Sequence, residues 1–128
     1  MYELHSEEIL FFDNYPDMLE IYGAMMTWLT EKYEDITVKV GKTAISLRNR
    51  YVFATVSLPW RRVKGWPRRY ILFSLGLGRQ RISPRVRSAV EPHPNRWTHH
   101  ILIESPAEFD ADLQSWFDEA YAFSKEKP

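Results

Sequence analysis

The spacing of apolar residues changes twice along this chain, and each change marks a boundary between helical and extended segments. Between residues 16 and 33, apolar positions follow the 3.6-residue period of an amphipathic helix, and Pro16 suits its first turn. Between residues 36 and 103 they alternate with a period of two, in short segments separated by turn residues. The helical period returns after residue 105. This order of elements predicts an α+β fold.

Short segments joined by tight turns favour antiparallel strand pairing. The strands are expected at 36–40, 45–47, 51–58, 71–75, 83–90 and 97–103. A short helix is expected to end near Asn14, and Ser105 with Glu108 gives a capping-box signal for a last helix that reaches about Phe123. We predict a five- or six-stranded, mainly antiparallel sheet with the two long helices, N- and C-terminal, packed on one face. This architecture is similar to that of frataxin-like sandwiches.

One domain is expected to occupy residues 1–128, with a short helical segment at 1–15 and a frayed tail at 124–128. The chain has no cysteine, which is typical of a reducing compartment. Its acidic start lacks the basic region of a signal peptide, and its apolar runs are too short to cross a bilayer. We therefore expect a cytoplasmic protein that does not contact membranes.

The net charge of zero conceals a strong segregation of charge along the chain. Residues 48–96 carry twelve Lys or Arg and one acid, Glu91. Residues 1–47 carry nine acids and three Lys, and residues 97–128 carry seven acids and two Lys. A basic middle between acidic ends favours an anionic partner, although acidic helices packed near a basic sheet would also explain it.

Strand alternation predicts which side chains point away from the helices. The inward set is expected to be Ile45, Leu47, Val52, Ala54, Val56, Ile71, Phe73, Leu75, Ile101 and Ile103. The outward set is expected to be Arg48, Tyr51, Phe53, Tyr70, Leu72, Arg85, Arg87, Thr98, His100 and Leu102. An aromatic surface edged with arginine suits the stacking of bases and the binding of phosphate. Alternatively, loop 59–69 covers Tyr51 and Phe53, or these two side chains form a homodimer interface.

Loop 59–69, with the sequence PWRRVKGWPRR, contains five cations and two Trp. Cations interleaved with aromatic rings are typical of a loop that follows a nucleic-acid backbone. A solvated loop whose Trp residues anchor it to the core is the alternative. The predicted binding residues of the face and the loop are Arg48, Tyr51, Phe53, Arg61, Arg62, Lys64, Trp66, Arg68, Arg69, Tyr70, Arg85, Arg87 and His100.

Catalytic signals are weak in this chain. The glycine-containing stretch 76–81 lacks the third glycine and the following helix of a dinucleotide-binding loop, although Arg79, Arg81 and Arg85 could share one anion there. His99 and His100 are adjacent on a strand and should point to opposite faces, with His99 as a hydrogen-bonded core residue. We expect no catalytic residue, metal or cofactor. The expected role of Glu91 is a structural ion pair with Arg85, Arg87 or Arg96. The alternative is a small enzyme that uses His100 or Glu91 as an acid or base.

Four stretches resemble domain-of-unknown-function family 5655, a small bacterial domain found alone or attached to other proteins. The stretches lie at 38–56, 82–103, 105–112 and 113–121. The matching residues of this chain are Lys42, Thr43, Ile45, Ser46, Arg48, Phe53, Ala54, Ser83, Pro84, Arg85, Arg96, Trp97, His99 and His100. The resemblance covers about residues 17–123 and implies a single α+β domain, but it implies no chemistry.

Together these patterns predict a small binding module that recognises an anionic partner, either a nucleic acid or a nucleotide-like ligand. The outward sheet face and loop 59–69 would form its surface. A protein–protein interaction or homodimerisation module that uses the same face is the alternative function.

Overall fold

The fold consists of two layers, a layer of helices and a six-stranded antiparallel sheet, in a computed structural model that describes all 128 residues. The helices are α1 (Ser6–Phe11), α2 (Pro16–Lys32) and α3 (Ala111–Glu126). The strands are β1 (Thr37–Val40), β2 (Ala44–Arg48), β3 (Val52–Ser57), β4 (Ile71–Leu77), β5 (Val86–His93) and β6 (Arg96–Ile103). The predicted α+β class and antiparallel sheet are confirmed.

The strand order is β1-β2-β3-β4-β6-β5, and every neighbouring pair is antiparallel. β4 therefore lies between β3 and β6, while β5 forms one edge. β3 and β4 form an antiparallel hairpin. Loop 59–69 joins the two strands at one end of this hairpin, and the start of β3 and the end of β4 lie at the other end. Since strands rise about 3.3 Å per residue, these two ends are about 20 Å apart.

The core lies between the sheet and the two long helices, which pack on it together. One cluster of 23 buried residues joins the inward strand positions to the apolar faces of α2 and α3. The two long helices also contact each other, because Lys32 Nζ of α2 donates to Asp118 Oδ2 of α3 at 2.8 Å. The Trp28 ring of α2 also packs edge-on against Phe109, which lies just before α3, with ring centroids 5.7 Å apart. Burial of these apolar faces supplies the main stabilisation of the fold.

The last helix begins later than the sequence predicts. Ser105 and Glu108 do form the capping box, but it closes a single 3₁₀ turn at Pro106–Glu108. The side chain of Asp110 then caps α3 by accepting a hydrogen bond from the Leu113 backbone N–H at 3.0 Å. The break between the two caps lets Phe109 turn into the core, where it is 8% exposed.

The end of this helix also differs from the prediction, since α3 continues to Glu126 and residues 124–126 belong to it. Ser124 is buried, and its hydroxyl hydrogen-bonds to Asn49 Oδ1 at 2.6 Å and to the Tyr51 carbonyl at 3.1 Å. These contacts attach the last turn of α3 to the β2–β3 turn, where a frayed tail was expected.

Alternation predicts the inward set correctly except at the start of β3. Leu47 pairs with Ala54 but Arg48 pairs with Val52, so β3 contains an extra residue, Phe53, at a bulge. Val52 is consequently exposed rather than inward. Phe53 is 2% exposed and lies edge-on to Tyr121 of α3, so its predicted outward position is wrong.

The N-terminal segment is attached to the core through one buried carboxylate, that of Glu8, which is 1% exposed. It accepts hydrogen bonds from the Tyr2 hydroxyl at 2.8 Å, from the Tyr22 hydroxyl, and from the His5 backbone N–H at 2.8 Å. Burial, reinforced by this carboxylate, raises the pKa of both tyrosines, so that they remain protonated donors. Glu8 therefore joins residues 2–8 to α2.

Candidate functional site

Two of the predicted binding rings are not available to a ligand. Tyr70 is 5% exposed and packs edge-on against Trp66, whose ring centroid is 5.7 Å away. Phe53 lies under Tyr121. Tyr51 is only partly buried, but its backbone is attached to Ser124. The predicted aromatic platform is therefore wrong, and the end of α3, rather than loop 59–69, covers Tyr51 and Phe53.

The sheet face opposite the helices is instead mainly small and polar. Its positions include Ser46, Thr55, Ser57, Ser74 and Thr98, which pair across neighbouring strands. Leu102 has the predicted orientation but is buried, at 8% exposed. Of the two side chains expected in a homodimer interface, Phe53 is buried and only Tyr51 is partly exposed.

Arg85 is neutralised within the protein. Its Nη1 donates to Asp110 Oδ1 at 2.6 Å and to Asp112 Oδ2 at 3.1 Å, and its Nη2 donates to the Glu108 carbonyl at 2.5 Å. The Leu113 backbone N–H and then Arg85 lower the pKa of Asp110, so this acid stays ionised. Arg85 thus holds the start of α3.

Arg79 and Arg81 have the same kind of role. Arg79 donates twice to Glu119, at 3.0 and 2.9 Å, and Arg81 lies within 3.6 Å of both Asp112 and Glu119. The guanidinium of Arg81 also lies 4.3 Å from the ring centroid of Trp116. The hypothesis that Arg79, Arg81 and Arg85 share one external anion is therefore wrong, because acids of α3 and its cap already bind all three.

The histidine pair divides between the faces as predicted. His99 is buried, contacts Trp116 edge-on, and accepts a hydrogen bond at Nε2 from the Arg81 backbone N–H at 2.9 Å. His100 lies on the other face, where its Nδ1 is 2.8 Å from the Ser74 hydroxyl. Burial lowers the pKa of both rings, which favours neutral imidazoles.

Glu91 forms no ion pair with Arg85, Arg87 or Arg96. Its carboxylate instead accepts a hydrogen bond from the Asn95 backbone N–H at 3.0 Å and so stabilises the β5–β6 turn. Asn95 has a φ of 61°, a conformation that asparagine adopts more readily than most residues. The predicted ion pair is wrong because the turn brings a backbone donor to the carboxylate.

Loop 59–69 retains a group of cations that no acid neutralises. Arg61, Arg62, Lys64 and Arg68 are exposed and make no salt bridge. On the sheet, Arg48 and Arg87 are likewise exposed and unpaired.

The base of the loop is held in place by the α1–α2 connection. Arg69 forms a bidentate salt bridge with Asp17 and lies over the Tyr15 ring at 4.6 Å from its centroid. The Tyr15 hydroxyl donates to the Pro59 carbonyl at 3.3 Å, so both ends of the loop are attached to one segment. Gly65, with a φ of 84°, allows the tight turn between these ends.

Trp60 is the functional candidate that sequence reasoning leaves out of the binding set. Its side chain is 81% exposed, and the guanidinium of Arg61 lies 5.1 Å from its ring centroid. Every other Trp, Tyr and Phe side chain is buried or partly buried. Trp60 and Trp66 lie in the same loop and look equivalent in the sequence. Only the structure shows that Trp66 packs against the domain while Trp60 does not.

Two clefts meet at Trp60. A basic cleft of about 490 Å³ is lined by Tyr15, Pro59, Trp60, Arg61, Arg62, Pro67 and Arg68. A more apolar cleft of about 520 Å³ lies on the other side. Leu10, Phe11 and Leu58 contribute to its wall, and Glu7 and Lys42 are among its polar lining residues. The two share Tyr15, Pro59 and Trp60. A cationic surface therefore adjoins an apolar one across a single exposed indole.

No helix of the protein is both long enough and apolar enough to pass through a bilayer. No curated protein and no solved structure matches the chain. The sequence profile of the domain-of-unknown-function family 5655 matches residues 9–124, which is most of the chain. The protein therefore belongs to domain-of-unknown-function family 5655.

Proposed function

We propose that this protein binds single-stranded nucleic acid through loop 59–69, with Trp60 as a stacking platform. The observation that carries the proposal is an exposed indole between a basic cleft and an apolar cleft. The flat faces of bases stack on aromatic rings, whereas the phosphates of the backbone require cations. The apolar cleft beside Trp60 would accept bases, and the basic cleft would accept phosphates.

The cations of the loop supply the electrostatic part of this recognition. Arg61, Arg62 and Arg68 line the basic cleft, and Lys64 is exposed nearby in the same loop. Since no internal acid pairs with them, binding phosphate does not require a salt bridge to break. Arg69 has a different role, because its bond to Asp17 fixes the base of the loop before a ligand arrives.

The apolar cleft favours a single strand over a duplex. Bases in a duplex are stacked on one another and cannot enter a cleft, whereas unpaired bases can turn away from the backbone. A base stacked on Trp60 could reach Leu10 and Phe11. We accordingly infer stronger binding to single strands than to duplexes of the same sequence. The wider expectations of a bacterial source and a cytoplasmic location accord with a nucleic-acid partner.

Fluorescence anisotropy with a labelled oligothymidine, titrated at increasing salt, tests the proposal. We expect micromolar affinity at about 50 mM salt and a log–log salt slope near −3, because four unpaired cations each contribute about 0.7 on single strands. Absence of saturable binding, or binding that salt does not weaken, would overturn the proposal.

Matched variants locate the binding surface. Arg61→Gln/Arg62→Gln removes two charges from the basic cleft, whereas Lys39→Gln/Arg79→Gln removes two exposed charges elsewhere. Only the first pair should weaken binding, by about tenfold at low salt. Equal weakening by both pairs would show that net charge, rather than loop 59–69, attracts the strand.

A further inference from the structure

A separate cavity lies at the other end of the β3–β4 hairpin from loop 59–69. Its volume is about 250 Å³, and it is bordered by the start of β3, the end of β4, the β5–β6 turn and the end of α3. Phe123 forms part of the wall, and it lies so close to Gly78 that a Cβ there would be 2.8 Å from its ring. The end of α3 is therefore held tightly against the sheet at this place.

Two cations face this cavity without any acid to neutralise them. Arg96 and Lys127 both line it, both are partly buried, and neither makes a salt bridge. The Lys127 ammonium instead lies 5.0 Å from the ring centroid of Tyr51 and 5.5 Å from that of Phe123. Burial, with a smaller contribution from the Arg96 charge, lowers the pKa of Lys127.

Two unpaired cations so arranged are unfavourable by themselves. Two like charges in a partly desolvated space repel each other, and neither regains by pairing what it loses in hydration. An anion placed between them would reverse both effects. Elsewhere in the fold, partner acids neutralise such cations, as Glu119 does for Arg79 and Asp110 does for Arg85.

Hydroxyl groups complete the polar lining. Thr55, Ser74 and Thr98 contribute to the wall from three neighbouring strands. His100 Nδ1 lies 2.8 Å from Ser74 Oγ. With the Nδ1–H tautomer of His100, the imidazole donates to Ser74 and leaves the serine hydroxyl hydrogen free for an oxygen in the cavity.

We propose that this cavity binds a small organic phosphate monoester. Arg96 and Lys127 would hold the phosphate group, which carries a charge of about −1.5 to −2 at neutral pH and so matches two cations better than a single carboxylate does. The hydroxyls would donate to its oxygens. The organic part would rest on Trp97 and Phe123, which are partly buried and contribute apolar surface to the wall.

This site shares no residue with the nucleic-acid surface. The two proposals therefore succeed or fail independently, provided that the oligothymidine used for the first has 5′-hydroxyl ends and offers no terminal phosphate monoester.

An NMR titration of the ¹⁵N-labelled protein tests the site with phenyl phosphate, inorganic phosphate and benzoate. Phenyl phosphate should saturate the backbone shifts of Gly76 and Thr98, and inorganic phosphate should do so more weakly because it lacks the ring. Benzoate should bind at least about tenfold more weakly than phenyl phosphate, since it leaves one cation unpaired.

Variants make the result specific to the two cations. Arg96→Gln and Lys127→Gln should each weaken phenyl phosphate binding by about tenfold, whereas Lys39→Gln on β1 should not change it. Lys127 is at the C-cap, where its backbone N–H rather than its side chain bonds to Phe123, so its substitution keeps the helix end. No shifts at Gly76 and Thr98, equal binding of phenyl phosphate and benzoate, or unaltered binding by both variants would overturn the proposal.

Discussion

Loop 59–69 and segment 79–87 are both rich in arginine, yet the structure treats them in opposite ways. In segment 79–87, Arg79, Arg81 and Arg85 are paired with acids of α3 and its cap. In loop 59–69, only Arg69 has an acidic partner. The same residue type therefore fastens a helix in one place and remains free for an external anion in the other.

The difference depends on which acids the helices present. Asp110, Asp112 and Glu119 lie at the cap or on the side of α3 that faces segment 79–87. Near loop 59–69 only Asp17 serves this purpose, and it binds the loop at its base. Local cation density thus identifies a binding surface only after the internal acids have been assigned.

The largest effect that would test this comparison is on stability. Arg85→Ala should lower the free energy of unfolding by about 2 kcal/mol, because it removes three hydrogen bonds from a side chain that is only 21% exposed. Arg87 lies two residues away and is exposed and unpaired. Arg87→Ala should therefore lower the free energy of unfolding by less than about 0.5 kcal/mol. Urea denaturation measures both, and similar losses would contradict the contrast.

The two Trp residues of loop 59–69 give the next largest effect. Trp60→Ala should weaken oligothymidine binding by about tenfold, since stacking contributes about 1–3 kcal/mol per base, and it should leave the unfolding midpoint almost unchanged. Trp66→Ala should lower that midpoint instead, because Trp66 packs on Tyr70. Anisotropy measures binding by both variants, and thermal unfolding measures their stability. If Trp60→Ala proved the more destabilising of the two, the separate roles of Trp60 in binding and Trp66 in stability would be refuted.

A smaller effect concerns acid. The pKa of Asp110 is lower in the folded protein than in the unfolded chain, so its contribution to stability is present above the unfolded value and is lost as the pH falls through the folded one. We expect the free energy of unfolding to fall below about pH 4. Arg85→Ala should show a shallower fall, because one cause of the lowered pKa is gone. Parallel pH curves for the two proteins would argue against the pairing.

The smallest effect isolates a single cation of the loop. Arg62→Gln should reduce the magnitude of the salt slope for oligothymidine by about 0.7 and should change affinity by only a few fold. Arg79→Gln provides the control, since Glu119 already neutralises Arg79. An equal change in slope for both variants would mean that the free and paired arginines do not differ in solution.

The sequence suffices for much of the fold because its periods are clear. Ile45, Leu47, Phe73 and Ile101 face the core as alternation predicts. The strand order could not be predicted from the sequence. β4 pairs with both β3 and β6, and no local sequence signal specifies these pairing partners. The bulge at Phe53 was equally hidden, because one extra residue reverses the parity of those before it.

The candidate site was predictable only in part. The basic loop is evident from its composition, but the separate roles of Trp60 and Trp66 depend on which ring meets Tyr70 in three dimensions. Arg85 and Arg87 also look alike in the sequence, and only the position of Asp110 distinguishes them. Partners that are distant in the chain decide these roles, so neighbouring residues carry no information about them.

Glu8 has a practical consequence for anyone who shortens this protein. The family match begins at residue 9, and trimming the chain to that border would discard the acceptor for the Tyr22 hydroxyl. Tyr22 is wholly enclosed, so the trimmed protein would keep an unsatisfied phenol in its interior. The border of a sequence profile and the border of a stable folding unit are then different places, separated here by one glutamate.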